Sequence, residues 1–172
     1  MDISILSEES IKIKGKIATF VVGPKHIKGK VEADAIISFE LDSSEISGVE
    51  NSRLTIQGAG EYEIGGVKIS GLKNQNSCVY YLSVDKMNIL LGQASALKGK
   101  EIMRDTDIAL VFSDSVVDAS VLASLNPKVV VFYGEKAGEN SKTLGKEAIV
   151  TNKYSINREK LPAELEAILL QV

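Results

Sequence analysis

Short stretches of alternating apolar and polar residues dominate the first third of the chain. Such alternation is typical of strands that bury one face, and continuous apolar runs of similar length are typical of strands deep in a sheet. Because a meander of this kind needs a second layer to cover its apolar face, we expect a layered, strand-rich fold. Strands are predicted at Ile3–Leu6, Ile11–Lys14, Ile17–Val22, Ala33–Phe39 and Arg53–Ile56.

Two hairpins are predicted in the middle of the chain. The stretch Gly58–Gly71 alternates on both sides of Gly65-Gly66, a pair that supplies the positive φ that tight hairpin turns need. The two glycines that open this stretch indicate a bulge or a close backbone approach. The second hairpin joins Cys78–Val84 to Met87–Leu91 about Asp85-Lys86.

The pattern changes after the second hairpin, where helices are predicted between buried strands. Leu97–Met103 could form a short helix, and Ile108–Phe112 is a predicted strand. A helix capped by Asp114 or Ser115 would place Val117, Val121, Leu122 and Leu125 on one face. Asn126-Pro127 ends it, and Lys128–Tyr133 is the next strand, so a parallel β-α-β unit is predicted.

The last part of the chain is less clearly patterned. A turn-rich stretch with Gly134, Gly138 and Gly145 precedes a predicted strand at Ala148–Thr151. The tail Leu161–Val172 is compatible with a helix that begins near its proline or with a closing strand. The pattern as a whole predicts an α/β (α+β) domain with many strands and few, short helices.

Composition narrows the classes of protein to which this chain could belong. A chain of 172 residues with 44% hydrophobic and 25% charged residues fits one soluble domain spanning 1–172. The net charge of −3, with lysines scattered among acids, argues against nucleic-acid or anionic-membrane partners. Neither a signal peptide nor an apolar run long enough to span a membrane is visible. A single cysteine, Cys78, suits a reducing compartment, so we expect a cytoplasmic protein.

Four segments of the sequence carry a family resemblance through their order and spacing: Ala33–Ser38, Gly58–Val67, Leu91-Gly92 and Asn126-Pro127-Lys128. Together they resemble the metallo-β-lactamase superfamily, and more narrowly a branch of predicted Zn-dependent hydrolases related to the ascorbate-phosphate lactonase group. The resemblance spans roughly residues 2 to 136. It implies a four-layer αββα sandwich of two mixed sheets, here with short, trimmed outer helices.

The same resemblance implies that the metal site of that family is lost. In the family, imidazoles and carboxylates hold divalent metals and an activated water. Aromatic and aliphatic side chains have no lone pairs, and neutral hydroxyls and amides are poor zinc ligands. No metal and no other cofactor is therefore expected. The positions that correspond to the ligands fall on Phe39, Leu41, Ser43, Ser44, Gln93 and Gly134.

Other candidate chemistry in the chain has a simpler interpretation in each case. The only histidine, His26, follows a proline in a turn and is expected to be an exposed loop residue. Ser43-Ser44 suggests a nucleophile, but helix N-capping explains it better, and Cys78 is expected to be a small core residue. Acids near the former site could bind Ca²⁺ or Mg²⁺, although solvated turn acids are the commoner explanation. These acids are Glu40, Asp42, Glu45, Glu61 and Glu63.

The functional hypothesis that follows is a non-catalytic protein with this fold, serving as a protein-binding or oligomerising scaffold. Its expected partner is a second copy of the chain or a related protein. The alternative is a hydrolase of the same superfamily with a non-canonical or altered active site. The exposed face near residues 40–45 and 93–97 is where a partner is expected to bind, and the altered enzyme would use acids or backbone groups in the remnant cleft.

Overall fold

Strands dominate the computed structural model, which describes residues 1–40, 48–74, 77–98 and 105–172. The α-helices of these residues are α1 (Ala119–Ser124) and α2 (Ala137–Thr143), and single 3₁₀ turns span Ala94–Ala96 and Arg158–Lys160. The strands are β1 (Asp2–Ser7), β2 (Ser10–Lys14), β3 (Thr19–Val22), β4 (Val31–Glu32), β5 (Ala35–Ser38), β6 (Val49–Glu50), β7 (Leu54–Gln57), β8 (Gly60–Ile64), β9 (Val67–Asn74), β10 (Ser77–Val84), β11 (Met87–Gln93), β12 (Ile108–Phe112), β13 (Val129–Tyr133), β14 (Ile149–Thr151), β15 (Lys153–Ser155) and β16 (Glu166–Leu170).

The strands form two large mixed sheets. One has six strands in the order β15-β1-β2-β3-β5-β7, and the other has eight in the order β14-β16-β13-β12-β11-β10-β9-β8. The first half of each sheet along the chain is antiparallel, and the later strands, β3-β5-β7 and β11-β12-β13-β16-β14, are parallel. The predicted sandwich of two mixed sheets with few, short helices is confirmed. Each predicted strand is present within two residues, whereas the short strands β4, β6 and β15 were missed.

The larger apolar cluster fills the space between the two sheets. Alternate residues of each strand enter it, such as Ile11 and Ile13 of β2 and Ile69 of β9, all of them fully buried. Strand alternation places polar neighbours on the opposite face. Burial of this many aliphatic side chains is the main stabilising contribution to the sandwich.

The smaller apolar cluster lies on the outer face of the eight-stranded sheet, under α1 and α2. The predicted parallel unit β12-α1-β13 is confirmed, but its helix begins at Ala119, with Asp118 at the N-cap position. Asp114 and Ser115 therefore do not cap it. The segment before the helix is instead held by Asn140 of α2, whose amide accepts from Val117 N at 2.9 Å and donates to the Ser115 carbonyl at 2.8 Å.

The segment after β13, expected to be only turns, contains α2. Gly138 lies inside this helix, while Ala137 and Asn140 are buried against the sheet. Burial and the Asn140 hydrogen bonds stabilise a helix that its own composition does not predict. Gly134 and Gly145, with φ of +101° and +64°, stand outside its two ends.

The two remaining ambiguities are resolved in part. The tail forms a strand, β16, which pairs in parallel with β13 and β14, so the strand alternative is the right one. Near the predicted helix Leu97–Met103, the structure has the 3₁₀ turn Ala94–Ala96, with Leu97 as its C-cap. Residues 99–104 of that prediction lie outside the described residues. No helix in the described part of the chain is long and apolar enough to cross a membrane.

The predicted hairpin Gly58–Gly71 is confirmed, with Ile64 opposite Val67 and φ of +57° and +81° at Gly65 and Gly66. The expected close approach is also present. A Cβ added to Gly71 would lie 2.6 Å from the carbonyl oxygen of Gly58 and 3.0 Å from the Tyr80 ring. Glycine is therefore required at position 71 by the space available and not by its φ angle.

Replacement of Gly71 by Ala should lower the free energy of unfolding by about 1–3 kcal/mol, because a backbone oxygen must shift to admit the methyl group. Gly138→Ala is the matched control, since nothing lies within 4 Å of its added Cβ. In the helix that substitution should stabilise by roughly 0.5–1 kcal/mol. Urea titrations of both variants measure the difference, and equal effects would contradict the packing argument.

Candidate functional site

Three of the positions that the family resemblance assigns to metal ligands meet around the ring of Phe112, the last residue of β12. The ring of Phe39, which follows β5, stacks on it with centroids 6.2 Å apart and planes 9° apart. Gln93, the last residue of β11, lies opposite Phe112 in the parallel ladder. A Cβ on Gly134, which follows β13, would lie 2.8 Å from the Phe112 ring. Leu41, Ser43 and Ser44 lie outside the described residues.

Four rings from both sheets occupy this place, and we call them the aromatic cluster: Phe39, Tyr80, Phe112 and Tyr133. Phe112 and Tyr133 are tilted with centroids 5.4 Å apart, and Phe39 and Tyr80 with centroids 6.4 Å apart. Phe39 is 5% exposed, and both tyrosines are fully buried. Tilted and offset contacts at these separations are favourable beyond the area that they bury.

The hydroxyl of Tyr80 joins the two sheets inside this cluster. It donates to the carbonyl of Ser38 at the end of β5 at 2.7 Å, and it accepts from the backbone N–H of Gly58 at 3.0 Å. Burial raises the pKa of Tyr80, and the neighbouring thiol of Cys78 raises it further. The phenol therefore remains protonated at neutral pH, which is the state that this pair of hydrogen bonds requires.

The hydroxyl of Tyr133 is different, because it is buried and has no hydrogen-bond partner among the described residues. Burial raises the pKa of Tyr133 as well. The phenol therefore remains protonated at neutral pH. The ring of Tyr133 packs as a large apolar group, while burial of its unpaired hydroxyl costs free energy.

The side chains at this edge do not fit a zinc or manganese site. Phe39 offers no donor atom, Gln93 offers a neutral amide, and Gly134 has no side chain. Across residues 1–40, 48–74, 77–98 and 105–172, no three His, Cys, Asp or Glu side chains are grouped so that they could hold a metal ion.

The acids considered as an alternative cation site are not brought together. Glu40 pairs with Lys25, Nζ to Oε1 at 2.9 Å. Glu61 accepts from the Ser70 hydroxyl at 2.6 Å, and strand alternation places Glu61 and Glu63 on the face opposite the core residue Tyr62. In the described part of the chain, these acids therefore do not form the carboxylate cluster that a Ca²⁺ or Mg²⁺ site would need. Asp42 and Glu45 fall outside the described residues.

The rim of the cluster contains polar links that the sequence analysis missed. Asp114, expected to cap a helix, accepts instead from both the backbone N–H (3.1 Å) and the hydroxyl of Ser95. Asn74 donates to the carbonyls of Ala96 (2.6 Å) and Lys98 (2.9 Å). These links fix the loops after β11 and β12. The available signal was positional, since polar residues that follow parallel strands gather at one sheet edge.

The remaining two candidates have the simple roles expected of them. His26 is exposed in a turn, with φ of +54°. Cys78 is fully buried in β10 and belongs to the core between the sheets. Neither contributes a reactive group to the edge where the aromatic cluster lies.

Comparison with solved structures shows the fold. A candidate Zn-dependent hydrolase of the metallo-β-lactamase superfamily from Thermotoga maritima superposes with a TM-score of 0.77 at 19% identity, over 100% of both chains. A HARLDQ-motif mutant of a metallo-β-lactamase from Cronobacter sakazakii gives a TM-score of 0.41 at 8% identity, over 64% of this chain and 75% of that one. No protein-family model matches the chain, and the curated proteins gave no significant sequence match. The chain thus has the metallo-β-lactamase fold.

Removal of the Tyr80 hydroxyl should destabilise the protein, because Tyr80→Phe leaves a buried N–H and a buried carbonyl without their partner. We expect a loss of about 1–3 kcal/mol in the free energy of unfolding. Tyr133→Phe is the matched control and should be neutral or slightly stabilising, since its hydroxyl has no partner in the described residues. Denaturant titration measures both, and the opposite ranking would refute the assigned roles.

Proposed function

We propose that this chain is a non-catalytic protein with the metallo-β-lactamase fold, and that it serves as a protein-binding or oligomerising scaffold. The observation that carries the proposal is the aromatic cluster. Its rings occupy the edge where Phe39, Gln93 and Gly134, assigned by resemblance to ligand positions, come together. A reaction centre of this fold would need polar donors and an open volume at that edge.

The cluster also explains how the fold can persist without a metal. A set of converging ligands is polar, and its burial costs free energy unless a cation pairs with it. Rings in van der Waals contact have no such requirement, and they gain both area burial and favourable ring geometry. The packing of Phe39, Phe112 and Tyr133 therefore stabilises the strand ends without a polar ligand set.

The competing hypothesis is a hydrolase with an altered active site. The exposed contact between Ser95 and Asp114 is a hydroxyl–carboxylate pair at the rim of this edge that such an enzyme could use. A serine nucleophile needs a positioned base, and here the carboxylate already binds both the N–H and the hydroxyl of the same residue. His26, the only imidazole, lies in an exposed turn. The geometry supports a structural link between loops and favours the scaffold.

Protein purified without a histidine tag should contain no stoichiometric zinc or manganese by elemental analysis. Added Zn²⁺ should leave the midpoint of thermal unfolding unchanged, because a ligand stabilises only a protein that binds it in the folded state. Dialysis against a chelator should likewise have no effect. One zinc or manganese ion per chain, together with a lower midpoint after chelation, would overturn the non-catalytic proposal.

A further inference from the structure

No further inference is drawn: the strongest candidate, the polar cavity at the amino-terminal ends of β12 and β13, carries none, because the Asp107 carboxylate in its wall is already bound by Arg158 and by the backbone N–H of Asn88, and no buried polar side chain among its described residues lacks a partner that a ligand would supply.

Discussion

The packing of rings across the two sheets is the contact on which the site edge depends. Phe39 comes from the six-stranded sheet, and its ring stacks on Phe112 from the eight-stranded sheet. The Tyr80 hydroxyl bridges the same gap with one hydrogen bond to Ser38 and one from Gly58. Because both links act between sheets, they close the end of the sandwich that strand pairing alone would leave open.

The Gly58–Gly71 hairpin gains a structural meaning from that bridge. Gly58 supplies the N–H that Tyr80 accepts, and the lack of a side chain at Gly71 lets the Gly58 carbonyl approach. The glycines of the segment that suggested the fold thus serve the framework beside the cluster. The hairpin therefore indicates the fold and does not indicate a reaction. A chain can keep this framework whatever side chains stand at the ligand positions.

The edge between the two sheets is held by rings at its centre and by polar links at its rim. The aromatic cluster occupies this edge, and its rim is fixed by Asp114 and Asn74.

The sequence by itself determined most of the longer strands, the two hairpin turns and the chemistry of the side chains at Phe39 and Gln93, because alternation, turn residues and side-chain chemistry are local properties. It did not determine α2 or the true start of α1, since both depend on Asn140 and on burial against the sheet. It also could not show that Phe112 and Tyr133 would join Phe39. That contact unites residues far apart in the chain, and only the packing of one sheet on the other brings them together.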